Sequence, residues 1–171
     1  MTNAQVFFKG EGSMMNILSL STIDKKAVND FFTKHWGCPQ MVISSGVFDC
    51  DQLPGFCVMK GQEIIGLITY CVTDGECEII SLDSVVEGKG IGSKLMVKVE
   101  EKAKAEGCSS IKLVTTNDNV YALSFYQKRG YRLARIIPHA VEKARKLKPT
   151  IPYVAENGIP IIDEIILVKG I

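Results

Sequence analysis

The segment Gly88-Lys89-Gly90-Ile91-Gly92-Ser93-Lys94 begins where a strand-like run ends, and an amphipathic helical run begins inside it, which restricts the local backbone to a strand–loop–helix junction. Glycines at alternate positions remove every Cβ that would hold a ligand away from the backbone, and they permit the positive φ of a tight turn. The first N–H groups of a helix have no intrahelical partner, and the macrodipole leaves partial positive charge on them. Such a junction binds pyrophosphate without a dedicated arginine. Lys89 and Lys94 add positive charge.

Two common glycine motifs do not fit. A Walker loop requires Gly-Lys-Ser or Gly-Lys-Thr after four spacers, but Gly92 is followed by Ser93 and then Lys94. A dinucleotide fingerprint requires a third glycine three residues after the second. Counting from Gly88 and Gly90 reaches Ser93, and counting from Gly90 and Gly92 reaches Leu95. The loop also lies mid-chain, after several strands, where an opening βαβ nucleotide unit is not expected.

The chain has 171 residues, 46% of them hydrophobic, enough for one domain with a substantial core. A net charge of +1 supplies no global attraction to nucleic acid or an anionic membrane, so small-molecule partners are expected. Apolar runs such as 79–86 are interrupted and too short to span a bilayer. The six cysteines contain no C-x-x-C pair and neither histidine completes a zinc spacing, so no metal site is expected. A secretory leader is not evident either, and the expected location is cytoplasmic.

Residues 1–14 show no clear period and read as an N-terminal extension, a tail or an added leader, ahead of a single domain over 15–171. Ile17, Leu18 and Leu20 suggest a first strand, and Ser21-Thr22-Ile23-Asp24 offers caps for a helix to Lys34 or His35 with Ala27, Val28, Phe31 and Phe32 on its apolar face. Residues 41–51 are ambiguous. Phe56–Met59 and Glu63–Cys71 form a hairpin across Lys60-Gly61-Gln62, and the turn at 73–76 leads to a strand over 77–85. A helix from about Gly90 to Glu106 carries Ile91, Leu95, Val99 and Ala103 on one face. A strand over 110–115, a helix over 120–129, a strand over 131–137, a basic segment at 141–148 and a strand over 164–168 complete an α/β domain: a mixed, mostly antiparallel sheet with helices on both faces.

Asn119-Val120-Tyr121-Ala122-Leu123-Ser124-Phe125-Tyr126 continues through Gln127-Lys128-Arg129-Gly130-Tyr131. With the glycine loop it resembles the GNAT superfamily of N-acetyltransferases over about residues 16–137. The resemblance implies the GNAT fold and acetyl-CoA as cosubstrate. It places the backbone N–H groups of Gly88, Lys89, Gly90, Gly92 and Ser93 around the pyrophosphate, Leu82 and Ser84 beside pantetheine, Asn119 against the cofactor, and Tyr126 near the departing sulfur. The family usually has arginine or glutamine where this chain has Glu87. A carboxylate at about 6 Å from a phosphate charge costs on the order of 0.7 to 3 kcal/mol.

An amine of pKa near 10.4 is about one part in a few thousand neutral at pH 7, so transfer to it benefits from a base. Strict alternation puts Glu78, Ile80 and Leu82 on one strand face, and the family often carries glutamate on this strand, which makes Glu78 the candidate base. His139 and a water chain are the alternatives. Tyr126 supplies a phenol for the leaving thiolate. The expected activity is direct acetyl transfer to an amine of a small molecule or peptide, and the alternative is a catalytically silent CoA sensor of the same fold. A nucleotide-binding protein using the same loop is a third reading. A late edge strand offers a pairing surface for a homodimer.

Overall fold

The computed structural model describes residues 15–171, so the extension expected at 1–14 lies outside the described residues. In chain order the elements are β1 (Asn16–Ser19), α1 (Lys25–Trp36), β2 (Gln40–Ile43), β3 (Gly46–Asp49), β4 (Gly55–Lys60), β5 (Glu63–Thr73) and β6 (Glu76–Ser84). These are followed by α2 (Ile91–Ala105), β7 (Ser110–Thr116), α3 (Val120–Gln127), β8 (Arg132–Ile137), α4 (Ala140–Leu147) and β9 (Glu164–Gly170). Seven strands form one sheet in the order β1-β4-β5-β6-β7-β9-β8. Every neighbouring pair is antiparallel except β6 and β7, which is the mixed, mostly antiparallel sheet expected.

The helices divide the core between the two faces. Asp24 caps α1 by accepting from Lys26 N at 2.9 Å, and Gly37 ends it at φ 82°. Val28, Phe31 and Phe32 of α1 pack with Cys57, Ile64, Leu67 and Ile80 on one face of the sheet. Ile91, Leu95, Met96, Val99 and Ala103 of α2 cover Val58, Ile65, Ile68, Tyr70 and Ile79 on the other. Full burial of a side chain such as Phe32 or Leu67 contributes roughly 1.5–3 kcal/mol.

Three segments depart from the sequence reading. Leu20 leaves the first strand and begins a short 3-10 turn over Leu20–Thr22, where its side chain is buried. The ambiguous region after Pro39 is a separate two-stranded hairpin, β2 and β3, registered from Gln40↔Asp49 to Ile43↔Gly46. β2 has no exposed position and β3 alternates over only four residues, too short a run for periodicity to mark the pair. The basic segment at 141–148 is a helix, α4, but Arg145 is buried and not part of a solvated face. Its guanidinium donates to the carbonyls of Ile151, Pro152 and Ile161, which ties the connection to β9 back onto α4.

Two irregularities in β6 create the site. Its pairing with β7 runs only from Glu76↔Ser110 to Ile79↔Leu113, after which the two parallel strands diverge. A bulge also interrupts its ladder with β5, since Thr69 opposes Ser81 while Tyr70 opposes Ile79 and Ile80 has no partner. An extra residue shifts the alternation of side chains. Ile80 accordingly packs toward α1, whereas Leu82 packs toward α2.

Candidate active site

The divergence of β6 from β7 opens a cavity of about 750 Å³ through the sheet. From Ser81 to Ser84, β6 retains its β5 partner but has lost β7, so its second edge presents unpaired backbone amides and carbonyls. Leu82 and Ser84 line this edge. An extended chain carrying amides can complete the ladder there.

At one end of the cavity lie Gly88, Gly90, Gly92 and Ser93. Gly90 caps α2 at φ 68° with no side-chain hydrogen bond, which leaves the first-turn amides of a fifteen-residue helix open. Gly92 allows α3 to approach closely: a Cβ there would stand 3.2 Å from Phe125 Cζ, so that ring would have to shift. Arg129, at the end of the helix expected over 120–129, lies over the Phe125 ring at 3.5 Å and donates to Phe125 O at 2.7 Å and to Ser93 Oγ. This guanidinium joins α3 to the N-terminus of α2 and lines the cavity. Asn119 caps α3 through Ala122 N at 3.1 Å and also lines it. Lys89 is exposed and does not line the cavity, whereas Glu87 does.

Tyr126 stands on α3 in the cavity wall. Burial first, and then the Asp83 carboxylate, push its phenol pKa up, with Arg129 opposing. The phenol is therefore held neutral as a proton donor.

At the other end are Trp36, Met41, Ile43, Asp83 and Glu164. Trp36 Nε1 donates to Asp83 Oδ1 at 3.0 Å, while Oδ2 is buried without a hydrogen-bond partner. Burial raises the Asp83 pKa, and the Trp36 hydrogen bond and His35 oppose the shift. Phe48 packs against the α1-side core and does not line the cavity.

Glu78 does not reach this cavity. Its side chain is buried beneath the β2–β3 turn, where Ser45 Oγ donates to Oε1 at 2.6 Å and Lys112 lies 3.8 Å from Oε2. Nor does it share a face with Leu82, because the bulge at Ile80 reverses the alternation between them. The same bulge brings Asp83 onto the face that Glu78 occupies, and of the two carboxylates Asp83 is the one that lines the cavity. His139 is likewise remote: it is exposed at the start of α4, with Nδ1 3.3 Å from Glu142 Oε1.

Diverging parallel strands, an uncapped glycine loop on α2 and a phenol on α3 form one continuous site, and residues 25–131 match the acetyltransferase (GNAT) family. The chain belongs to the GNAT family. The uncharacterized protein YdhI of Bacillus subtilis is 60% identical over 159 residues, covering 92% of this chain and 99% of that protein. Among solved structures, the IAA acetyltransferase from Bacillus cereus is similar with a TM-score of 0.69 and 25% identity, over 92% of this chain and 100% of that one. A GNAT family acetyltransferase from Elizabethkingia anophelis, solved with acetyl-CoA bound, shares the fold at a TM-score of 0.64 and 21% identity, over 94% of this chain and 100% of that one. As a GNAT protein the chain is an acyltransferase, with acetyl-CoA as cosubstrate and an amine as acceptor. No helix among the described residues is long and apolar enough to cross a membrane.

Proposed function

We propose that this GNAT enzyme transfers acetyl directly to the amine of a small molecule within a ternary complex, with Asp83 receiving the amine proton and Tyr126 supplying a proton to the leaving sulfur. The observation that carries the reading is that both groups line one cavity, which opens where β6 leaves β7. Acetyl-CoA supplies the thioester, and as the amine displaces sulfur at the acetyl carbon one C–N bond forms and one C–S bond breaks. The unpaired edge at Leu82 and Ser84 orients the pantetheine arm by backbone hydrogen bonds. The amides around Gly88, Gly90, Gly92 and Ser93, with Arg129 beside them, hold pyrophosphate. Asn119 positions the start of α3 against the same ligand.

Asp83 suits the task of base because burial raises its pKa toward working pH while Trp36 fixes one oxygen and leaves the other free. A free edge N–H of β6 is available to the developing oxyanion. Tyr126 passes its phenol proton to sulfur and regains one from the acetylated nitrogen.

Release of CoA thiol from acetyl-CoA, followed across a panel of amines, tests the activity. Tyr126→Phe is expected to lower kcat by roughly ten- to a hundredfold with little change in acetyl-CoA affinity. An unchanged kcat would remove Tyr126 from the proton path. Tight acetyl-CoA binding without turnover on any amine would favour the silent sensor.

Cytoplasmic residence and dimerisation belong to the same reading. All six cysteines are free thiols, as a reducing compartment allows. β8 is a sheet edge whose Leu133 and Ile136 are 56% and 62% exposed. Sedimentation velocity should show a dimer that Leu133→Asp converts to a monomer, and a monomeric native chain would reject the pairing.

A further inference from the structure

The acceptor end of the cavity holds more negative charge than one reacting amine can neutralise. Glu164, at the start of β9, is only 2% exposed and lines the same cavity as Asp83. Its two oxygens share one donor, the Ser44 N–H, at 3.2 and 3.0 Å. An ionised carboxylate accepts about four hydrogen bonds, so most of its capacity is unused. Among the described residues neither Glu164 nor Asp83 is in an ion pair. Asp83 has in addition one buried oxygen with no partner. Arg129 is the cation in the cavity lining, and it is engaged by Ser93, Phe125 O and the Phe125 ring at the glycine-loop end.

Position on the sheet separates the two carboxylates. Asp83 is on β6, and Glu164 is registered opposite Thr116 of β7 on the far side of the opening. Trp36, Met41, Ile43 and Ile80 supply an apolar wall to the same cavity. Once Asp83 has accepted the proton of the reacting amine, Glu164 is still a buried anion, and burying an anion without a partner is unfavourable. A second cationic group on the acceptor supplies that partner, and an alkyl connection suits the apolar wall.

We propose that the acceptor is a dicationic amine, two cationic nitrogens joined by a short alkyl chain, whose reacting nitrogen meets Asp83 and whose second nitrogen meets Glu164. This rests on the acetyl-transfer reading given above and adds the class of its acceptor.

The test titrates CoA-loaded protein with 1,3-diaminopropane, 1,4-diaminobutane and 1,5-diaminopentane, against propylamine, butylamine and pentylamine, and then compares kcat/KM for the same six. At least a roughly tenfold preference for the diamines is expected in both readouts. Glu164→Gln keeps an oxygen for the Ser44 N–H but removes the charge, and should erase the preference for diamines over monoamines. Equal binding of diamines and monoamines by the native protein, no binding of either, or an unchanged preference in Glu164→Gln would overturn the proposal. The native comparison stands even if the variant does not fold. Diamine binding without acetyl transfer would reject the enzymatic reading and keep the recognition site, whereas monoamine turnover equal to that of diamines would do the reverse.

Discussion

Gly90→Asp is expected to lower acetyl-CoA affinity by roughly a hundredfold or more while leaving the fold intact. Gly90 has φ 68°, a left-handed conformation that aspartate adopts more readily than most residues, and an added Cβ would meet nothing within 4 Å. No neighbouring group is displaced, and the left-handed backbone itself costs any side chain about 1–2 kcal/mol, too little to unfold the domain. The new carboxylate, however, would enter the space in front of the first α2 amides, where the pyrophosphate is held in the proposed complex. At about 5 Å and an effective dielectric near 20, each charge pair costs about 3 kcal/mol before screening, which corresponds to roughly a hundredfold in affinity. Titration calorimetry with acetyl-CoA measures the loss, and a thermal melt establishes that the fold survives. Gly90→Asn shares the backbone preference without the charge and should bind more tightly than Gly90→Asp. Equal affinity in Gly90→Asp and the native protein would place the pyrophosphate elsewhere. ATP and NAD titrated in parallel would bind as well as acetyl-CoA only if the loop served a nucleotide.

Asp83→Asn should reduce kcat/KM by roughly 10²- to 10⁴-fold, the range for loss of a positioned general base. The pH profile separates this from a simple structural defect. Burial raises the Asp83 pKa above its ordinary 3.8, so the proton is held to a higher pH than in an exposed aspartate. Activity in the native enzyme should fall as pH drops through that raised value, and Asp83→Asn should lack this acid limb. The linkage to stability has the opposite sense. A folded-state pKa above the unfolded value means that the folded protein binds the proton more tightly, so the ionised group disfavours folding as pH rises through the raised value. At neutral pH Asp83→Asn should therefore melt no lower than the native protein, apart from any change in the Trp36 hydrogen bond. Glu78→Gln serves as the control, with turnover close to the native rate because Glu78 lies under the β2–β3 turn and outside the cavity. A large loss in Glu78→Gln with little in Asp83→Asn would restore Glu78 as the base.

Much of the site was legible before any coordinates because its cofactor half is local. The glycine loop, the cap at Asn119 and the phenol at Tyr126 each depend on a few consecutive residues. Period and cap signals likewise located α1, α2 and the β4–β5 hairpin to within a residue or two of their observed ends. Lys89 is a partial exception, since it is exposed and does not line the cavity that its neighbours line.

The acceptor half is assembled from distant segments, and no window of sequence contains it. Trp36 is brought to Asp83 across a separation of 47 residues, and Ser44 to Glu164 across 120. Residue order by itself determined the mixed sheet flanked by helices, the glycine junction at the start of α2 and the helix α3 beside it, because helix periodicity, caps and glycine backbones act over short range. Only the tertiary structure decided which carboxylate lines the cavity. A single bulged residue, Ile80, inverts the face of everything after it on β6, and its position depends on pairing with β5, including the buried Thr69–Ser81 hydroxyl contact at 2.6 Å.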